Sequence, residues 1–130
     1  MRLASFTDYS LRVLIYLSVK ESELSTVAEI SEKYKISKNH LVKVAHNLAT
    51  LGLIESFRGK GGGIRLSRPA DKINIGKTIK ILEQGTDLVE CFGENPLCII
   101  NSSCKLKGAL KQAENSFYQK LSEYTLADFV

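Results

Sequence analysis

Residues 26–66 read TVAEISEKYKISKNHLVKVAHNLATLGLIESFRGKGGGIRL, and this stretch predicts most of the architecture. Up to Leu51 the apolar residues recur at helical spacing, and two helix starts are marked by the capping-box pattern Thr26–Glu29 and by Ser37. After Gly52, a residue that commonly ends helices, the apolar period changes from about 3.6 to 2 and a glycine-rich run follows. Two helices joined by a short turn and followed by a β-hairpin predict a winged helix-turn-helix.

The predicted elements continue on both sides of this stretch. The first helix is expected to begin at Thr7, as its N-cap, and to run to about Val19. The other predicted elements are helices from Thr26 to about Lys35 and from Lys38 to Leu51, strands at 53–57 and 64–67, and helices from Ile75 to about Gln84 and from near Cys104 to about Tyr124. The sequence therefore predicts a mainly α fold with a small β-hairpin.

Apolar stripes mark the third and the last of these helices. The stripe expected to be buried under the third helix comprises Leu41, Val44, Ala45, Leu48 and Leu51. The stripe of the last helix comprises Leu106, Ala109, Leu110, Ala113, Phe117 and Leu121. A long amphipathic helix at the end of a small domain needs a surface to pack on, and a second copy of the chain in a homodimer is the expected one. We therefore expect a winged helix-turn-helix DNA-binding domain at 1–85, a cysteine loop at 86–104, and a dimerisation helix with a C-terminal segment at 105–130.

The charge of the chain is unevenly distributed. The 130 residues hold 18 basic and 14 acidic side chains, a net charge of +4. Residues 33–68 hold eight basic side chains against one acidic side chain, Glu55, whereas residues 69–130 hold seven basic and eight acidic ones. A basic head on a near-neutral tail favours binding to a polyanion such as DNA. Neither a signal peptide nor an apolar run of roughly 20 residues is found, so we expect a cytoplasmic protein without membrane contact.

Motifs for catalysis are missing from the sequence. The glycine-rich run at 58–63 lacks the Gly-Lys-Ser/Thr ending of a phosphate-binding loop and precedes a strand instead of a helix. No nucleophile elbow or HExxH pattern occurs, and His46 is expected to be a surface or half-buried residue and not a general base. We therefore predict a protein without enzymatic activity.

The candidate DNA-binding residues lie on the third helix and on the hairpin. They are Ser37, Lys38, Asn39, His40 and Lys43 on the first turns of the helix, and Arg58, Lys60 and Arg65 on the hairpin. The first turns of a recognition helix are where side chains reach base edges, and asparagine can pair bidentately with adenine. The alternatives are a solvated polar face beside a mobile hairpin, or a winged helix that binds protein. Charge, helix order and hairpin agree, which favours DNA binding.

Three cysteines, Cys91, Cys98 and Cys104, lie within one predicted loop. Six residues separate the first two and five separate the last two, which is too wide for the pairs of a zinc knuckle. An odd number of cysteines does not suit a disulfide framework, and no fourth cysteine or histidine lies in the loop. Soft thiolates suit an iron–sulfur cluster. Buried, inactive cysteines and a thiol-redox regulator without a cluster stay open as alternatives.

Five strings of the sequence together resemble a known family, the small dimeric winged-helix repressors that carry an iron–sulfur cluster. The strings are LASFTDYSLRVL at 3–14, SKNHLVK at 37–43, RGKGGGIRL at 58–66, the three cysteines followed by KLK at 105–107, and YTLAD at 124–128. The resemblance spans nearly the whole chain and is strongest to the members that respond to nitric oxide. Lys107 stands where the members that govern cluster assembly carry a histidine, which argues against that subgroup.

The resemblance implies a ligand set and a signal. It implies that Cys91, Cys98 and Cys104 of one subunit and Asp8 of the other hold the cluster, with 4Fe–4S favoured over 2Fe–2S. It also implies a homodimeric repressor that releases a double-stranded, palindromic operator when nitric oxide attacks the cluster. The alternative signals are iron level, cluster supply and peroxide.

A switch is predicted in the first helix. Asp8 precedes Arg12 by four residues, so the two side chains can form an ion pair within one helix. We predict that Asp8 turns to iron when the cluster is present and returns to Arg12 when the cluster is lost. The movement of the first helix would then displace the recognition helices. On its own, Asp8 is more typical of an acid that stabilises a helix start.

Overall fold

The computed structural model describes residues 3–84 and 105–130. Its helices are α1 at Ser5–Lys20, α2 at Val27–Tyr34, α3 at Lys38–Thr50, α4 at Ile75–Leu82 and α5 at Lys105–Leu121, with short 3₁₀ turns at Ala70–Lys72 and Leu126–Phe129. Two strands, β1 at Ile54–Phe57 and β2 at Gly63–Leu66, form an antiparallel pair. The mainly helical winged helix-turn-helix fold is confirmed. None of the described helices is long and apolar enough to cross a membrane.

Local hydrogen bonds set the angle between α2 and α3. The hydroxyl of Thr26 accepts a hydrogen bond from the N–H of Glu29, as its predicted capping role requires. Lys35 is the C-cap residue that follows α2, and its φ of 56° turns the chain away from the helix. The Ser31 hydroxyl then donates to the carbonyl oxygen of Ile36 at 2.6 Å and closes the turn. The recognition helix is therefore oriented by bonds within this short segment.

The end of α3 leads directly into the hairpin. Gly52 has a φ of 78°, and its N–H donates to the Ala49 carbonyl oxygen at 3.0 Å. The N–H of Leu53 donates to the Leu48 carbonyl oxygen at 3.0 Å. These two bonds form a Schellman motif, which satisfies carbonyl groups at the helix end and favours glycine at the left-handed position. The wing is consequently held at a fixed distance from the recognition helix.

The C-terminal segment returns to the core of the N-terminal half. The N–H of Leu126 donates to the Ile73 carbonyl oxygen at 2.9 Å, and Ile75 donates to the Tyr124 carbonyl oxygen at 3.0 Å. Leu126 is fully buried. The side chains that share this core with at most 1% exposure include Val13, Leu14, Leu17, Ile30, Leu41, Val44, Leu48 and Ile73. The division at 1–85, 86–104 and 105–130 stays a prediction, but the last residues pack into the first of these parts.

Three local details differ from the sequence prediction, although the predicted N-cap position of α3 is confirmed. The N-cap of α1 is Ala4, and Thr7 is a buried residue inside the helix. The hydroxyl of Ser37 makes no capping hydrogen bond, although Ser37 does occupy the N-cap position of α3. Leu51 is 37% exposed because α3 ends at Thr50 and Leu51 already belongs to the turn.

The helix α5 buries none of its own residues within the described part of the chain. Leu106 is 64% exposed, Ala109 and Ala113 are exposed, and Phe117 is only half-buried. Its C-terminal half packs closely on α4, where a Cβ added to Gly76 would lie 2.6 Å from the Tyr118 carbonyl oxygen. Within the described ranges, three of the six residues of the predicted stripe, Leu106, Ala109 and Ala113, are therefore exposed, whereas Phe117 and Leu121 pack against the core.

Candidate nucleic-acid interface and sensing residues

The outer side of α3 presents the predicted base-reading side chains. Ser37, Lys38, Asn39, His40 and Lys43 are all exposed. Within residues 3–84 and 105–130, the side chains of Ser37, Lys38, Asn39 and Lys43 make no hydrogen bond or ion pair. Their polar groups are therefore available to a ligand, while the buried opposite side of the helix keeps the backbone in place.

The three basic residues of the wing are not equivalent. Arg58 and Lys60 are exposed at the hairpin turn, and neither forms an ion pair within the described ranges. Arg65 lies directly opposite Glu55 in the sheet, and its Nε donates to the Glu55 Oε2 at 3.0 Å. The Arg65 guanidinium also lies 4.8 Å from the centroid of the Phe57 ring. Glu55 thus compensates the charge of Arg65, whereas Arg58 and Lys60 keep theirs.

The predicted ion pair in α1 is present. The Arg12 Nε donates to the Asp8 Oδ1 at 3.0 Å, and the Arg12 Nη2 donates to the Asp8 Oδ2 at 3.2 Å. The hydrogen bond and the negative charge of Asp8 raise the pKa of the Arg12 guanidinium. The side chain of Arg12 is 44% exposed and that of Asp8 is 48% exposed, so water screens the attraction between their charges. A stronger ligand for the carboxylate can therefore displace Arg12.

The first turns of α1 and α3 are in contact. The ring of Tyr9, the residue after Asp8, stacks on the ring of His40, with 6.3 Å between centroids and 24° between planes. His40 lies in the first turn of the recognition helix, beside the candidate base-reading residues. The sequence did not reveal this contact, because nothing in the local spacing links an aromatic residue of α1 to α3.

A buried carboxylate joins the start of α1 to the end of α4. Glu83 is 7% exposed, and its Oε1 accepts a hydrogen bond from the Ala4 N–H at 2.8 Å. This bond explains why α1 begins before Thr7. The Glu83 Oε2 and the Thr7 Oγ1 are both buried without a hydrogen-bond partner among the described residues. Burial, then the negative charges of Glu114 and Glu83, raise the pKa of Tyr118 nearby.

The predicted cluster ligands divide between described and undescribed residues. Cys91, Cys98 and Cys104 lie outside the described residues, so their arrangement stays a prediction. Among the residues that are described, no group of three histidine, cysteine, aspartate or glutamate side chains is placed to hold a metal ion. The side chain of Asp8 is half-exposed, and each of its two carboxylate oxygens accepts a hydrogen bond from Arg12. An exposed carboxylate fits the role of a ligand donated to another chain.

Comparisons of the sequence with known proteins agree on one class. The sequence pattern of the Rrf2 family, described as an iron-dependent transcriptional regulator, matches residues 3–130. The HTH-type transcriptional regulator NsrR of Shouchella clausii is 48% identical over 132 aligned residues, which cover 100% of this chain and 89% of that protein. The protein of the same name from Bacillus subtilis is 47% identical, covering 100% of this chain and 90% of that protein.

Solved structures show the same fold. The global cysteine regulator CymR of B. subtilis matches with a TM-score of 0.77 and 23% identity, covering 99% of this chain and 95% of that chain. IscR of T. potens matches with a TM-score of 0.78 and 22% identity, covering 99% of this chain and 85% of that chain. The predicted resemblance to winged-helix repressors is confirmed, as is the interpretation of the protein as a DNA-binding regulator and not an enzyme. The chain belongs to the Rrf2 family of transcriptional regulators.

Proposed function

We propose that this protein is a homodimeric repressor that senses nitric oxide through an iron–sulfur cluster held between its subunits. One observation carries the proposal. The predicted ligand Asp8 forms an ion pair with Arg12, and the residue after it, Tyr9, contacts His40 of the recognition helix. The relatives called NsrR support the choice of nitric oxide, and the family's description as iron-dependent supports the choice of an iron cofactor.

DNA binding uses both copies of α3. In a homodimer the two recognition helices enter successive major grooves, so the operator is double-stranded and palindromic. Asn39 contacts a base edge, Lys38 and Lys43 contact bases or phosphates, and the wing residues Arg58 and Lys60 contact the adjacent backbone. The exposed positions of these side chains and the absence of competing partners within the described ranges support this assignment.

The ligands of the cluster are Cys91, Cys98 and Cys104 of one subunit and Asp8 of the partner subunit. Three thiolates with one carboxylate form an asymmetric ligand set, and 4Fe–4S is favoured over 2Fe–2S. When bound, the cluster supplies an iron site at which nitric oxide reacts. A carboxylate is a harder ligand than a thiolate, so Asp8 would hold its iron less firmly than the three cysteines would hold theirs. The uncovered apolar stripe of α5 supports the dimer that this ligand set requires.

The residues of α1 transmit the state of the site to the DNA-binding surface. Asp8 can engage either iron or Arg12, because its carboxylate oxygens cannot serve both fully. A change of partner shifts the first turn of α1, and Tyr9 passes this shift to His40. Glu83 keeps the start of α1 attached to α4, which leads into the cysteine loop. Operator affinity therefore depends on which partner Asp8 has.

A second signal is favoured by one finding, the description of the family as iron-dependent. In that case the repressor would report iron level or cluster supply, with the same DNA-binding residues and the same ligands. The two functions differ in what empties the site. Nitric oxide attacks a site that is already assembled, whereas low iron prevents assembly.

The deciding experiment follows operator binding by protein purified without oxygen. Absorbance and circular dichroism spectra, with counts of iron and sulfide, establish whether a cluster is present and of which type. Titration with nitric oxide, with peroxide and with an iron chelator then shows which of them releases DNA. We expect nitric oxide to release DNA at near-stoichiometric amounts. Release by the chelator alone would favour iron sensing, and protein without iron that responds to a thiol oxidant would contradict the cluster.

A matched pair of variants tests the ligands. Cys98→Ser should give colourless protein that binds no iron. Asp8→Asn should retain the three thiolates and hence the colour, but should show altered dependence of DNA binding on nitric oxide. An unchanged spectrum and an unchanged nitric oxide response in Asp8→Asn would overturn the role of Asp8.

A further inference from the structure

One aliphatic side chain stands on the DNA-facing side of the recognition helix. Val42 is 50% exposed, three residues after Asn39 and four residues before His46. Residues at these spacings are neighbours on a helix surface. Val42 is absent from the hydrophobic core and from the partly buried apolar residues that pack against it. Packing among residues 3–84 and 105–130 therefore gives no reason for an apolar residue here.

The local sequence also gives no reason for a valine. A β-branched residue has lower helix propensity than alanine or lysine, so an exposed helix position gains nothing from it. Three of its four neighbours one turn away, Lys38, Asn39 and His46, are exposed and polar or basic, and the fourth, Ala45, belongs to the buried stripe. A single aliphatic group inside a basic face is too small for a protein interface, but it matches the mixed chemistry of a base-pair edge.

The major groove offers one apolar feature, the C5 methyl group of thymine. The Cβ atoms of helix neighbours lie about 5–6 Å apart, and successive bases are about 3.4 Å apart along one strand. Residues one turn apart on the recognition helix therefore reach the same or adjacent base pairs. If Asn39 pairs with an adenine, Val42 lies one turn further along the helix. From that position its side chain can contact the methyl group of a thymine in the same or the adjacent base pair.

We propose that Val42 is a specificity-determining residue that recognises the methyl group of a thymine beside the base pair read by Asn39. This inference rests on the proposed DNA-binding surface and is independent of the signal that the protein senses. Burial of a methyl group is worth roughly a fourfold change in affinity, and good shape complementarity raises this to about tenfold. Each half-site thus contains one thymine whose methyl group contributes to binding.

The test uses uracil, which differs from thymine only by lacking this methyl group. The full-length protein, purified without oxygen, is first used to select its site from a random duplex library. Each thymine of the selected duplex is then replaced in turn by uracil. We expect one position per half-site at which uracil weakens binding roughly three- to tenfold. Val42→Ala should bind the thymine and uracil duplexes equally at that position, with affinity close to that of wild type for uracil.

Two controls keep the result interpretable. Val19 is 65% exposed on α1, and Val19→Ala should retain the full preference for thymine. The thermal unfolding temperature of Val42→Ala should equal or slightly exceed that of wild type, because the side chain is not part of the core and alanine has the higher helix propensity. If the library yields no preferred sequence, the DNA-binding proposal itself fails. If a site is selected but no uracil position discriminates, or Val42→Ala keeps the preference for thymine, only the role of Val42 is overturned.

Discussion

The helices α3 and α5 are both amphipathic, but they differ in what covers their apolar side. The stripe of α3 is covered by its own chain, with Leu41, Val44 and Leu48 at most 1% exposed. The stripe of α5 is uncovered at its N-terminal half, where Leu106 is 64% exposed. A single chain can therefore build the DNA-reading half of the molecule alone. Among the described residues, the N-terminal part of α5 has no comparable cover, and we expect a second copy of the chain to supply it.

The largest expected effect comes from a matched pair of leucines. We expect Leu48→Ala to lower the free energy of unfolding by about 2–5 kcal/mol, because a cavity replaces the lost methyl groups. Leu106→Ala removes the same atoms from an exposed site, so it should weaken self-association and leave the fold of the chain intact. Urea denaturation measures the first effect and sedimentation equilibrium the second. An undiminished dimer in Leu106→Ala would show that the exposed stripe of α5 is not part of the dimer interface.

The next effect concerns the hydrogen bond that joins the start of α1 to the end of α4. Glu83→Ala leaves the Ala4 N–H without its partner, and we expect the free energy of unfolding to fall by about 1–3 kcal/mol. Glu83→Gln keeps an oxygen that can accept this hydrogen bond and should lose less. Urea denaturation of both variants at one protein concentration gives the two values. Equal losses would show that the charge of Glu83, and not its hydrogen bond, is what stabilises α1.

A smaller effect separates the wing arginines. Arg58→Ala should remove a phosphate contact and reduce the slope of log affinity against log salt by about one. Arg65→Ala should change this slope less, because Glu55 already compensates the charge of Arg65. Fluorescence anisotropy with duplex DNA at several salt concentrations measures both slopes. A larger change for Arg65 than for Arg58 would mean that Arg65 leaves Glu55 when DNA binds.

The smallest effect is expected at the contact between α1 and α3. Tyr9→Ala removes the ring that stacks on His40, a contact worth roughly 0.5–1.5 kcal/mol. We expect the ratio of operator affinities with and without the cluster to shrink several-fold, with little change in nonspecific affinity. Tyr9→Phe keeps the ring and should preserve the ratio. A ratio that survives in Tyr9→Ala would show that the signal travels by another route.

Local signals made the DNA-reading half predictable. Thr26 caps α2 and Gly52 ends α3 through bonds between residues a few positions apart, so the sequence pattern already contains them. The pairing of Arg65 with Glu55 becomes visible only when the register of the hairpin is known. The start of α1 was misplaced because its cap comes from Glu83, 79 residues away. The preference of threonine for the N-cap position carries no information about that contact.

Among the candidate site residues, too, those that depend on local spacing are predictable and those that depend on tertiary contacts are not. Polar and basic residues on the face of α3 opposite its buried stripe are predictable from helical spacing, and the structure leaves them exposed. The role of Val42 could not be predicted from the sequence, because an apolar residue outside the stripe can be buried or exposed and only the structure shows which. The contact between Tyr9 and His40 escaped it because two helices must pack before their rings can meet.

The bond between Glu83 and Ala4 has a consequence for how firmly the start of α1 is held. The bond joins residues 79 positions apart, so it depends on tertiary packing that brings the two helices together and not on local helix formation. The middle of α1, with Leu14 and Leu17 completely buried, is fixed by the core itself. Amide hydrogen exchange is therefore expected to be faster in the first turn of α1 than in its middle. Asp8, which we propose changes partner, lies in this first turn, so the proposed response would not require the core to unfold.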